Sequence, residues 1–574
     1  MTMDKPDKLV ITVRRSTAVL WLVSALFASP LSFGRLTGNP VPLYGVAEAV
    51  TLPVLAVLAA AILVWCGGIV ELYRERSWQI FGAAQVLLLA VAAGHWAGGN
   101  MNGSGVGMTL FWVLAPTVGA VLKAEFKLIL PVAAAVTALL LAVSGFTSEY
   151  FTGLTGNWNW TQGVLFALLP GGFFLLKKYC RWWKYVAIAA VMLMMAVIYG
   201  IYPEQFSYGA QAAVAAAVMV LLIKILAPEI WQRRCFIGGA IGAAAGFAAV
   251  LSYADFANSR LQLWKGAWAM FGSEIWTGFG QFGNRILEFL PEKYYFTPHA
   301  AVWHPHPHNE VLNFLCYYGI AGGIFLAVLL FTVLRRPVND DRDKLALWIF
   351  AVLFGCAQFD MHCAVVIGAL WALTCAGIVA APAASAPSAA IPLWRHVAGI
   401  ALLIAACGIT LGHYRAGAAR RQGELAILKG DTAGAGAHWR RSLKYEKTPH
   451  TLYMLAEQEL LAGRVHYARI LLEELQRQKL ENYCHARRLR GMCEFQLGNY
   501  DAALENMRAE CRNYPFSIIS ARFKWQMLSA CRAQDAPEAG EIFYALCYMR
   551  RIPVQDAANL TPAADDKPLK DPAP

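Results

Sequence analysis

Charge is scarce in this chain. Of its 574 residues, 15% are Asp, Glu, Lys or Arg, against about 25% in an ordinary soluble protein. The shortfall excludes a wholly soluble assembly, and the mean hydropathy of +0.44 agrees. Acidic residues are the rarer sign, 37 against 49 basic, for a net charge of +12. A basic excess is what the cytoplasmic loops of a membrane protein carry, and by itself it does not point to nucleic acid. The basic N-terminus MTMDKPDKLVITVRR is followed by no convincing small-residue cleavage site. Residues 16–33 are therefore expected to be a first membrane span and not a removed signal peptide. No pair of cysteines has a diagnostic spacing. Five of the thirteen, Cys484, Cys493, Cys511, Cys531 and Cys547, fall near the C-terminus. Some could pair in an oxidising compartment, and buried thiols fit as well.

What the chain does hold is long apolar blocks. A bilayer crossing takes roughly 20 residues, and such blocks lie near 16–33, 47–70, 79–96, 107–123, 127–145, 161–176, 183–201, 209–226, 236–253, 310–334, 345–359, 363–381 and 393–411. This pattern predicts an all-α, polytopic bundle of about 13 spans. Placing the N-terminus in the cytoplasm puts twenty Lys and Arg in the inner segments, from Lys5 and Arg14 through Lys123, Lys127 and Lys177 to Arg336 and Arg395. The short outer loops then hold Arg35 alone. The asymmetry predicts an inner-membrane protein whose C-terminal part lies in the periplasm. The organisation expected is a transmembrane domain over 1–411 with one large periplasmic loop, 254–309, a periplasmic helical domain over 412–552, and a disordered tail over 553–574.

The segment 412–552 repeats itself weakly. Gly430, Gly463 and Gly498 are 33 and 35 residues apart, and each is followed five residues later by Ala435, Ala468 or Ala503. The pattern resembles tetratricopeptide (TPR) repeats, in which Gly turns the chain between helices and Ala lets the second pack closely. Stacked hairpins of this kind suit a protein or peptide partner.

The long loop carries the candidate chemistry. Arg260, Leu261, Leu263, Trp264, Lys265, Trp268 and Phe271 predict an amphipathic helix at the membrane interface. Arg260 and Lys265 would then sit at headgroup depth, suited either to ordinary anionic lipids or to a lipid diphosphate. Further on, His304-Pro305-His306-Pro307-His308-Asn309-Glu310 runs straight into a span. Asn309 is a good N-cap residue, so His308 would stand at a helix start, where an imidazole could act as general base and the helix end could hold a diphosphate. A metal site is a competing use of His-x-His, but no Cys or Asp accompanies these histidines and the prolines splay their rings. A plain exposed loop is the third possibility.

The string HPHNEVLNFLCYYGIAGGIFLAVLL, with its Gly319-Ile320-Ala321-Gly322 step, resembles the signature of the O-antigen ligase and polymerase (Wzy/WaaL) superfamily. Ser259-Arg260 with Trp264, then Gly278-Phe279-Gly280, is similar to that family's Arg-containing segment and Gly-x-Gly turn. HPHNE and an appended helical domain look most like bacterial protein O-oligosaccharyltransferases of the PglL type. The resemblance implies a GT-C-like bundle that moves a glycan from undecaprenyl diphosphate to Ser or Thr of a periplasmic protein such as a pilin, with membrane lipids around it and neither a cofactor nor a metal. It implies His308 and Arg260 as catalytic residues. Lys265, Asn309, Glu310, Asn159, Gln162 and Asp360 are its substrate-binding candidates. Two stretches depart from the family: Glu204–Gly209 lacks an expected Arg, and Asp360-Met361-His362 stands where an acidic-aromatic-Pro step is usual. The alternatives within the superfamily are a lipid A–core ligase and a glycan polymerase. Outside it stand a lipid-linked-glycan transporter, which should show charges inside its spans, and an assembly scaffold.

Overall fold

The computed structural model describes residues 5–28, 46–66, 69–101, 103–147, 158–177, 181–182, 200–201, 214, 259–291, 294–295, 304, 306–338, 340–358, 366–382, 392–531 and 533–549. The spans expected at 183–201, 209–226 and 236–253 lie almost wholly outside these residues, as does the tail 553–574.

The apolar blocks that are described all form helices, because a chain in hydrocarbon must satisfy its backbone groups internally. They are α1 (Lys5–Ala28), α2 (Val46–Cys66), α3 (Arg76–Ala97), α4 (Gly103–Val121), α5 (Lys123–Phe146), α6 (Trp158–Leu176), α8 (Glu310–Arg335), α9 (Asp341–Cys356), α10 (Val366–Ala380) and α11 (Leu393–Leu428), with α7 (Ser259–Ser273) in the long loop. No strand occurs among the described residues. Among the described residues four helices are long and apolar enough to cross a membrane: α3, α5, α8, and the part of α11 from Trp394 onward. The apolar helices within α2, α4, α6 and α10 are shorter. At the centre α4 crosses α10 at backbone contact. A Cβ on Gly119 would strike the Thr374 carbonyl, and one on Gly377 would strike the Pro116 carbonyl. Such small-residue crossings are how helices gain van der Waals contact where lipid offers no hydrophobic drive.

The bundle has two chemically distinct ends. At one, Arg14 pairs with Glu125 at 2.5 Å, Lys127 with Asp340 and Asp343 at 2.6 and 2.9 Å, Lys177 with Asp341, and Arg336 with Glu75. These residues come from segments that the charge pattern places on a single side. At the other end His95 lies in the last turn of α3, and α8 begins beside the end of α9.

α11 runs unbroken through the expected boundary at 411 to Leu428. No proline interrupts it, and its alanine-rich stretch favours helix on both sides of that boundary. Beyond it lie α12 (Thr432–Leu443), α13 (Pro449–Leu461), α14 (Val465–Arg477), α15 (Ala486–Gln496), α16 (Tyr500–Asn513), α17 (Ile518–Ala530) and α18 (Ala536–Met549). They pack as successive hairpins with apolar cores of their own. Gly430, Gly463 and Gly498 all have positive φ at the turns, 77°, 75° and 81°. Ala435, Ala468 and Ala503 are fully buried. No disulfide joins the described cysteines.

Candidate functional site

The site grows from the start of α8. Asn309 adopts extended backbone, and its side chain accepts the Leu312 N–H at 2.9 Å, the N-cap bond its residue type predicts. Its amide donates to the Gln358 carbonyl at 3.0 Å, and the Glu310 N–H donates to the Ala357 carbonyl at 3.0 Å. The helix start is thereby fastened to the end of α9. Glu310 is buried and lies 3.5 Å from the amide of Asn313.

Three imidazoles gather immediately before this cap. The ring of His308 is 4.7 Å from His306 and 5.8 Å from His304. His308 has φ of 55°, a left-handed conformation uncommon for a residue with a side chain. Its N–H donates to His306 Nδ1 at 3.2 Å. Burial, with the neighbouring imidazoles and the Arg260 guanidinium, holds His306 well below the ordinary imidazole range. The ring is therefore neutral. Since Nδ1 accepts, Nε2 carries the hydrogen, and Nε2 has no hydrogen-bond partner among the described residues. His304 bonds through Nε2 to the hydroxyl of Tyr294, whose phenol is pushed up by burial and stays protonated. Among the described residues no group of three His, Cys, Asp or Glu is placed to share a metal ion.

The neutral His306 fixes a pH dependence. An opened loop would protonate His306 below about pH 6.5, whereas the closed loop refuses the proton. The opened form then binds more protons, so closure is fully stable above that pH and weakens as pH falls below it. Amide exchange at His306–His308, corrected for intrinsic rates, is expected to be faster at about pH 5.5 than at about pH 7.5. His306→Asn should abolish that difference; a difference surviving in the variant would refute this origin.

Arg260 sits in the first turn of α7, exposed, and close enough to act on His306. Lys265 is half-buried on the same helix, but five residues turn it about 140° away from Arg260. The apolar side of α7 was expected to face the membrane interface. Instead Leu263, Trp264, Ala267 and Met270 are buried in a cluster with Phe282, Ile286, Tyr294, Leu312 and Cys316. The stripe at three- and four-residue spacing is satisfied by protein.

A break in α8 locks this arrangement. Gly319 has φ of 60° and ψ of −145° inside the helix. The carbonyls of Cys316 and Tyr317 accept the N–H groups of Phe279 and Gly280 at 2.8 and 2.9 Å, and the Ile320 N–H donates to Ile275 at 2.7 Å. The Gly278-Phe279-Gly280 turn is thus plugged into the Gly319 step. His95 secures the same turn through Nε2 and the Thr277 carbonyl, 2.7 Å apart.

The structure brings Arg260, His308, Asn309 and Glu310 to one end of the bundle. Gln162 lies in the second turn of α6, fully enclosed. Its neighbour Gly163 abuts Cys356, two residues before Gln358. Asn159 falls in the first turn of α6, its side chain outside the description, and Asp360 lies outside the described residues. His306, Tyr294 and Gln358 were not foreseen. The central His of the HPHPH alternation was a signal for the first, whereas no local pattern marks Tyr294 or Gln358. No protein-family model matches the chain, and no curated protein matches it.

Proposed function

We propose that this chain is a glycosyltransferase of the inner membrane that moves a glycan from undecaprenyl diphosphate to Ser or Thr of periplasmic proteins such as pilins. On this reading the bundle has about 13 spans with the N-terminus in the cytoplasm, and the C-terminal hairpins are a periplasmic TPR-like domain. The observation that carries it is His308 at the start of α8, beside a neutral His306 and near Arg260, at the end of the bundle opposite the ion pairs. The acceptor oxygen attacks the anomeric carbon and the bond from that carbon to the diphosphate oxygen breaks, with inversion. His308 takes the hydroxyl proton. The diphosphate leaves with the bonding electrons, its charge met by Arg260 and by the positive end of the α8 dipole, whose first N–H groups are already taken by Ala357, Gln358 and Asn309. Asn309 fixes the helix start. Lys265, Glu310, Gln162, Asn159 and Asp360 remain candidates for the surrounding donor contacts.

Purified protein in liposomes, given lipid-linked glycan with either a pilin or lipid A–core, tests the assignment. Glycosylated pilin is the expected product. Transfer to lipid A–core alone would make the protein a ligase, and longer lipid-linked chains would make it a polymerase. Movement of intact donor across the bilayer with no transfer to any acceptor would make it a transporter.

A further inference from the structure

The C-terminal hairpins touch the loop that carries the histidines, and the contact is specific. Asn284, in that loop, and Asn482, between α14 and α15, are both buried. The Asn482 N–H donates to Asn284 Oδ1 at 2.8 Å, and Asn482 Nδ2 donates to the Asn284 carbonyl at 2.9 Å. On the other side, Asn482 Oδ1 accepts from Asn513 Nδ2 at 3.1 Å and from Arg487 Nε. One asparagine therefore spends its donors on the loop and its acceptor on its own domain. Further along the loop the Tyr295 ring lies 6.4 Å from Phe516, and Tyr295 packs edge-on against Tyr294 at 5.9 Å. Tyr294 holds His304, whose ring is 5.8 Å from His308. Ring contacts and one hydrogen bond thus connect Phe516 to the histidine cluster. Asn284 also lies between Phe282 and Ile286 in the chain, and both of these form the floor under α7.

Among its described residues the segment so held has little regular structure, a short 3-10 turn at Ile286–Glu288 and 3-10 backbone again at Tyr294 and Tyr295. A chain of this kind keeps a single conformation only where outside contacts repay its lost entropy. We infer that docking of the C-terminal domain through Asn482 and Phe516 sets the positions of His304 and His308, so that the domain completes the site as well as any acceptor surface it offers. Asn284 and Asn482 are then positioning residues. Their effect on turnover rests on the proposed glycosyl transfer, but their effect on loop order does not.

The test uses the full chain and two loop-side variants, Asn284→Ala and Tyr295→Ala, because neither residue belongs to the C-terminal fold. Amide exchange at Phe282–Leu290 and His306–His308 is expected to rise by roughly tenfold in each, while the far half of α8, Phe325–Arg335, and α12–α18 stay unchanged. In transfer assays kcat should fall by roughly tenfold while KM for the acceptor stays the same; a domain that only carried the acceptor would raise KM instead. Unchanged exchange at the histidines in both variants overturns the inference, and so does a change in acceptor KM alone. Should the parent chain transfer no glycan, the glycosyl reading fails and the exchange result still decides the coupling.

Discussion

If the proposed glycosyl transfer holds, replacing His308 with alanine should lower it by roughly 100- to 10,000-fold, the range that a lost general base produces. Protein level and membrane insertion should stay normal, since the His308 side chain is only half-buried and belongs to no apolar core cluster. Backbone strain is the competing explanation. His308 has φ of 55°, where a side chain costs about 1–2 kcal/mol. His308→Gly removes that cost and His308→Asn tolerates it, so both should keep the loop closed and remain as inactive as the alanine variant. Recovery of transfer by glycine would assign the loss to the backbone and sink the catalytic role. His304→Ala should do much less, because His304 meets the site through Tyr294 and lies 5.8 Å from the His308 ring. Transfer measured with purified variants and a fixed lipid-linked donor decides all four cases.

The second large effect is expected from Gly278→Ala and Gly319→Ala. Both glycines have positive φ, 66° and 60°. A Cβ on Gly278 would lie 2.6 Å from the Cys316 carbonyl, and one on Gly319 would lie 2.5 Å from the Ile275 carbonyl. Backbone strain, about 1–2 kcal/mol for left-handed φ at Gly278 and about 1–3 kcal/mol at Gly319, whose ψ of −145° belongs to a region kept almost entirely to glycine, then adds to overlap with backbone that cannot move aside, about 1–3 kcal/mol. Gly430→Ala supplies the contrast. Its φ is also positive, 77°, but a Cβ there would meet nothing within 4 Å, so only the strain remains. Thermal unfolding in detergent should therefore rank Gly319→Ala and Gly278→Ala well below Gly430→Ala. Equal melting temperatures for the three would show that the plug of the Gly278 turn into α8 contributes no stability.

Much of the helical framework was legible in the sequence because its causes are local. Apolar blocks of bilayer length must be helical in lipid, and the described ones are. Asn309 caps α8 because a short side-chain oxygen before an apolar run can reach the first free N–H groups. The 33- and 35-residue glycine spacing marks turns because glycine alone enters left-handed backbone without strain, and Gly430, Gly463 and Gly498 do so. Lys and Arg positions sorted helix ends, and the ion pairs of Arg14, Lys127, Lys177 and Arg336 meet at one of them.

Pairings between distant segments were decided by the tertiary structure alone. A helical stripe such as Leu263, Trp264, Ala267 and Met270 reads the same whether lipid or protein covers it, and here protein does. Nothing near His306 in sequence says that its ring is enclosed and neutral, because burial is a property of all the elements around it. The Gly278 turn and the Gly319 step are separately visible as glycine motifs, yet only the fold joins the freed carbonyls of one to the amides of the other. Asn284 and Asn482, 198 residues apart, carry no pattern at all. Their meeting depends on where α11 sets the C-terminal hairpins, and that geometry is fixed by packing, which no local sequence signal encodes.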